Sequence, residues 1–110
     1  MAAPNATDVS EQLDSLVRQI VEAVHPVRII LFGSAARGDM RPDSDIDLLV
    51  IMPDGTHRLD TMGKLYAEIS GIGRDYDLIV ATVTDIKTHG NKVGPIYKPA
   101  LAEGRLVYGS

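Results

Sequence analysis

Between Asp8 and Val24, apolar residues recur at steps of three and four: Val9, Leu13, Leu16, Val17, Ile20, Val21 and Val24. That spacing predicts an amphipathic helix. Asp8 and Glu11 have the pattern of a capping box, with aspartate in the usual serine or threonine role. His25-Pro26 ends the helix, because a residue before proline is pushed out of the helical region. His25 therefore reads as a helix-terminal residue rather than a ligand. Two continuous apolar runs follow at 27–32 and 45–52, predicting strands of a sheet covered on one side. Pro53-Asp54-Gly55 is turn chemistry, and Leu59, Met62, Leu65, Tyr66 and Ile69 return to helical spacing until Gly71 and Gly73 close the segment. A third short strand starts near Asp77 and runs through Ala81. Thr84 is placed to cap a short helix reaching His89, residues 90–95 read as a loop, and 105–108 as a last strand. His57 and His89 are isolated and read as surface residues.

Within this pattern the stretch 28–52 carries the chemistry. Side chains alternate faces along a strand, so Asp45 and Asp47 emerge on the same side. Two carboxylates that close repel unless a cation lies between them, and oxygen-only ligands suit magnesium or manganese. The alternative is a solvated strand start. On the other side of the loop, Gly33 and Ser34 follow the first apolar run directly, and Ala35 and Ala36 can begin a short helix. A glycine there lets backbone amides approach a phosphate, the serine hydroxyl can bond a phosphate oxygen, and a helix N-terminus adds partial positive charge. Arg37 adds a fork of donors. Taken singly, Gly-Ser is an ordinary turn, and its spacing to Asp45 and Asp47 is what gives it weight. It is not a Walker A loop, which needs a glycine-lysine-serine/threonine ending. Asp39 and Asp43 read as loop and capping residues.

Gly33-Ser34, Arg37-Gly38 and Ser44-Asp45-Ile46-Asp47-Leu48-Leu49-Val50 together resemble the signature of the DNA polymerase beta-like nucleotidyltransferase superfamily, in its minimal nucleotidyltransferase (MNT) branch. The tail 96–109 is similar to that family's closing helix and strand, although Pro99 interrupts the helix unless it sits in the first turn. The resemblance implies an α/β (α+β) fold, a small mixed β-sheet with helices packed mainly on one face. It implies a third catalytic carboxylate on the next strand, which maps to Asp77. The bland reading of Asp77 is the start of an exposed strand.

Composition narrows the rest. The chain has 110 residues, 45% hydrophobic and 24% charged, which fits a single domain spanning 1–110. A net charge of -4 argues against broad non-specific nucleic-acid binding. With no cysteine there is neither disulfide nor thiolate metal site to consider. No apolar run is long enough to span a bilayer, and residues 1–7 lack signal-peptide character, so the expected location is cytoplasmic.

Charge must be stabilised when an acceptor hydroxyl attacks the α-phosphate of a nucleoside triphosphate, and two magnesium ions suit that task, with manganese an alternative. The expected site therefore has Asp45, Asp47 and Asp77 as catalytic and metal-ligating residues, and Gly33, Ser34 and Arg37 holding ATP. Family resemblance further implies a role like that of the MntA-like antitoxins, which transfer AMP to a tyrosine of a partner HEPN-domain toxin. Two rivals stand beside it: transfer to a small antibiotic-type acceptor, and an antitoxin that neutralises by contact alone.

Overall fold

The computed structural model describes residues 9–33, 45–89 and 104–109. The Asp8 cap, Ser34, the helix start at Ala35 and Ala36, Arg37, Asp39, Asp43, the loop at 90–95 and Pro99 lie outside the described residues. The first amphipathic segment forms α1 (Val9–Val24). It ends where His25 turns to a left-handed φ of 50 while its amide still donates to the Val21 carbonyl at 3.0 Å, so the helix stops ahead of Pro26 as expected. The chain continues through β1 (Arg28–Phe32), β2 (Ile46–Met52), α2 (Arg58–Glu68), β3 (Tyr76–Thr82), α3 (Val83–His89) and β4 (Arg105–Tyr108).

The strands form one mixed sheet in the order β3-β2-β1-β4. β1 runs antiparallel to β2 and to β4, whereas β2 and β3 are parallel. Register fixes two faces. Ile29, Leu31, Ile46, Leu48, Val50, Leu78 and Val80 pack beneath α1 and α2, joined by Leu16, Ile20 and Leu65 in one apolar core. Leu49, Ile51 and Ala81 point the other way, where Phe32, Ile79, Val83 and Ile86 cover them. The expected arrangement of helices mainly on one face therefore holds for α1 and α2, with the short α3 opposite. β2 corrects the expectation of a sheet covered on one side, since its leucines and isoleucines are buried on both faces, as a central strand with a continuous apolar run should be.

Three further expectations change. Leu59 is 76% exposed, and Thr61 and Leu65 form the buried side of α2. His57, read as isolated, is the N-cap of that helix. Its Nδ1 accepts from the Asp60 amide at 3.3 Å, and its carbonyl accepts from Thr61 Oγ1 at 3.0 Å. Thr82, rather than Thr84, caps α3: the Asp85 amide donates to Thr82 Oγ1 at 3.1 Å, and the Thr82 amide donates to Asp85 Oδ2 at 3.0 Å. Thr84 instead donates from its amide and hydroxyl to Asp54 at 2.8 and 2.7 Å.

Candidate active site

The C-terminal end of β1 and the N-terminal ends of β2 and β3 meet at one mouth of the sheet. Phe32 pairs with Asp47, and Asp47 pairs with Asp77 on the parallel neighbour. Partners in register share a face, so both carboxylates emerge on the side away from α1 and α2, about 4.8 Å apart at the backbone. They lie at the foot of two apolar columns, Leu49 and Ile51 on β2 and Ile79 and Ala81 on β3, which seat them on a rigid base. Asp47 is half-buried and Asp77 exposed.

Gly33 closes the third side. It adopts φ +75, and a Cβ at this position would collide with Asp47 Oδ2 and stand 3.2 Å from Asp47 Cγ. A side chain here would adopt a left-handed backbone and force the Asp47 carboxylate to shift, so glycine suits the bend. The contact with Asp47 adds a reason for Gly33 to the phosphate approach expected from sequence. Asp45 is exposed one residue before β2, in the same alternation phase as Asp47. The next residue, Ile46, donates its amide to the Asp75 carbonyl at 3.0 Å, tying the two strand mouths together. Register therefore brings Gly33, Asp47 and Asp77 together, with Asp45 at the rim, while Ser34 and Arg37 lie outside the described residues.

Among the described residues, no three histidine, cysteine or acidic side chains are grouped closely enough to hold a metal ion. The paired Asp47 and Asp77 still fit magnesium, which is commonly held by one or two carboxylates together with substrate phosphates and water. A separate groove of about 650 Å³ runs between α1 and β4, lined by Leu13, Val17, Val21, Leu106 and Tyr108, and none of the three aspartates borders it.

The approach to β3 has supports that sequence reading did not single out. Gln12 of α1 is 4% exposed; its Nε2 donates to the Gly73 carbonyl at 3.3 Å, and its Oε1 accepts from Arg74 Nε at 2.7 Å. Gln19 donates to the Ser70 carbonyl at 2.9 Å and accepts from the Ser70 amide at 3.0 Å. One sign was present in the sequence: Gln12 sits four and eight residues before Leu16 and Ile20, a polar side chain in the buried stripe of its helix. At the open side of β3, the Leu78 amide donates to the Tyr66 hydroxyl at 3.1 Å, and the Tyr66 and Tyr76 rings stack at 5.8 Å. Burial, with Tyr66 alongside, raises the Tyr76 phenol above its ordinary value, so it stays protonated through neutral pH.

Known proteins share this architecture. Residues 11–101 match the family described as Nucleotidyltransferase domain. Over 84 residues the chain is 32% identical to a candidate protein adenylyltransferase of Methanocaldococcus jannaschii, covering 74% of this chain and 77% of that protein. A solved minimal nucleotidyltransferase superposes with a TM-score of 0.56 at 22% identity, covering 96% of this chain and 98% of that one. A toxin–antitoxin structure with AMP-PNP gives 0.54 at 21% identity, over 91% and 73% of the two chains. At these identities the two structural likenesses are likenesses of fold. No helix among the described residues is long and apolar enough to cross a membrane. The family match across most of the length and the archaeal relative agree with the signature around Gly33, Asp45 and Asp47: the chain belongs to the nucleotidyltransferase domain family and is a nucleotidyltransferase.

Proposed function

We propose that this nucleotidyltransferase moves AMP from ATP to a hydroxyl of a protein acceptor, with Asp45, Asp47 and Asp77 as its catalytic carboxylates and Gly33, Ser34 and Arg37 on the triphosphate side. The observation that carries the reading is the in-register pair Asp47 and Asp77 on one face, with Gly33 abutting the Asp47 carboxylate. In the transfer, the acceptor oxygen bonds to the α-phosphorus as the bond from that phosphorus to the bridging oxygen of pyrophosphate breaks. The acceptor proton passes to the Asp77 carboxylate, which is exposed and therefore reachable. Asp45 and Asp47, with Asp77 on the acceptor side, would hold magnesium, which would supply positive charge to the attacking and departing oxygens. The chain itself contributes positioning and electrostatics and needs no covalent nucleophile.

Support for a protein acceptor comes from the adenylyltransferase name of the archaeal relative, and support for a toxin partner from the shared fold of the toxin–antitoxin structure. In this reading, which follows the resemblance to the minimal nucleotidyltransferase branch, the acceptor is a tyrosine of a HEPN-domain toxin and the chain acts as its antitoxin. Mass spectrometry of the protein mixed with ATP, magnesium and its genomic neighbour tests this directly. A gain of one AMP on the partner is expected, lost with Asp45→Ala or Asp47→Ala. Complex formation without any adduct would favour neutralisation by contact, and an adduct on a small antibiotic-type acceptor alone would overturn the protein target.

A further inference from the structure

We propose that Gln12 and Gln19 of α1 are positioning residues that set where β3 begins and thereby where Asp77 stands beside Asp47; the inference rests on the reading of Asp77 as a metal-ligating carboxylate. Between the end of α2 and the start of β3, the chain passes through Gly71 at φ 71 and Gly73 at φ 82. Two glycines in three residues leave this connection without a conformation of its own, because glycine populates both signs of φ. Its path must be imposed from outside.

Three observations show what imposes it. Gln19 engages both backbone groups of Ser70, so the amide of the side chain fixes the position and direction of the peptide. Ile72 is 7% exposed and anchors the middle of the loop in the core. Gln12 then holds the Gly73 carbonyl and Arg74 Nε, and the Asp75 carbonyl accepts from Ile46. Asp77 follows two residues later. The two glutamines lie seven residues apart, which places them on one side of α1, two turns from each other.

Gln12 is the stronger arm because it is buried. Removing it leaves the Gly73 carbonyl and the Arg74 guanidinium without the bonds that tie them to α1. The register of β3 itself is held by Leu78 and Val80 in the core, so the strand stays in place while its first residues lose definition. A displacement of about 1 Å at a reacting group is enough to cost catalysis some two orders of magnitude.

The test compares wild type with Gln12→Leu, and with Gln12→Glu, which keeps an acceptor facing Arg74 and carries the same readouts should the leucine variant not fold. Amide hydrogen exchange reports the strand mouth, and Mn2+-induced broadening of the Asp77 amide resonance reports metal at the site. Exchange at residues 74–77 should accelerate about tenfold or more while Leu48 and Val50 keep their protection. The Mn2+ concentration for half-broadening should rise about tenfold, as for supporting residues of metal ligands. Unchanged exchange at 74–77 in a folded variant, or acceleration spread evenly over the sheet, overturns the positioning role. Absence of Mn2+ broadening at Asp77 in the wild type overturns the metal reading instead, and the exchange data separate the two failures.

Discussion

The two ends of the β2–β3 pair both carry aspartates, and they use them differently. At the far end, Asp54 takes an amide and a hydroxyl bond from Thr84, and Asp85 accepts the Thr82 amide and lies 3.4 Å from Arg58. Each carboxylate there is spent on the first turn of α3, where the helix dipole and free amides favour negative charge. At the mouth, Asp47 and Asp77 stand side by side on neighbouring strands with Gly33 against one of them. Like charges in such a place disfavour each other and favour a cation. The contrast teaches that an acidic residue at a strand end is structural or chemical according to what faces it, and residue type alone does not distinguish the cases.

The strongest way to break this comparison is Asp77→Asn, with Asp47→Asn as its companion. Transfer of AMP should fall by about 10²-fold or more, as on removing a preorganised charge from an active site. In metal-free buffer the melting temperature of Asp77→Asn should hold or rise, since one of two repelling charges is gone. Magnesium should then stabilise the wild type more than either variant. A large drop in melting temperature without metal would make the pair structural, like the far end.

Gly33→Ala sharpens the same end. A left-handed alanine costs about 1–2 kcal/mol, and its methyl would push on the Asp47 carboxylate. Both stability and turnover should therefore decline, measured by thermal unfolding and by AMP transfer. Full activity in a destabilised protein would free Asp47 from its dependence on the bend.

Much of this was legible beforehand. The apolar runs of β1 and β2, the helical stripe of α1 and the placement of Asp77 at a strand start were readable because period and face are local properties of the chain. Asp47 and Asp77 sharing a face followed once β3 was set beside β2. What escaped was whatever depends on a distant partner. Leu59 looked like core because it fell on the right spacing, yet Thr61 and Leu65 are turned inward and Leu59 faces solvent. Asp54 looked like turn chemistry only, and its bonds to Thr84 cross 30 residues. Gln12 and Gln19 engage backbone and side-chain groups 51 to 62 residues away, which no local pattern encodes.

Thr82→Ala tests the far end with a smaller effect. Losing an N-cap hydroxyl costs about 1 kcal/mol, so the melting temperature should drop by a few degrees while AMP transfer at permissive temperature stays at the wild-type rate. A matching loss of activity would mean the two ends are coupled through β3.

The smallest effect belongs to Asp54, and its sign is fixed by pH. Bonds from the Thr84 hydroxyl and then the Thr84 amide, aided by the charge of Lys87, hold this carboxyl below the ordinary aspartate value. The folded state therefore binds its proton less readily than the unfolded chain, whose aspartate titrates near about pH 4. The stabilisation is present above that unfolded value and disappears as pH falls through the lower folded one. Thermal unfolding of wild type and Asp54→Ala should differ by a constant gap above about pH 5, and the two curves should converge as the solution is made more acidic. Because Asp54 is exposed, the gap should also shrink in high salt, by the part that Lys87 contributes. A gap that persisted undiminished at the acid end would mean that Thr84 is held by the shape of the turn rather than by the charge.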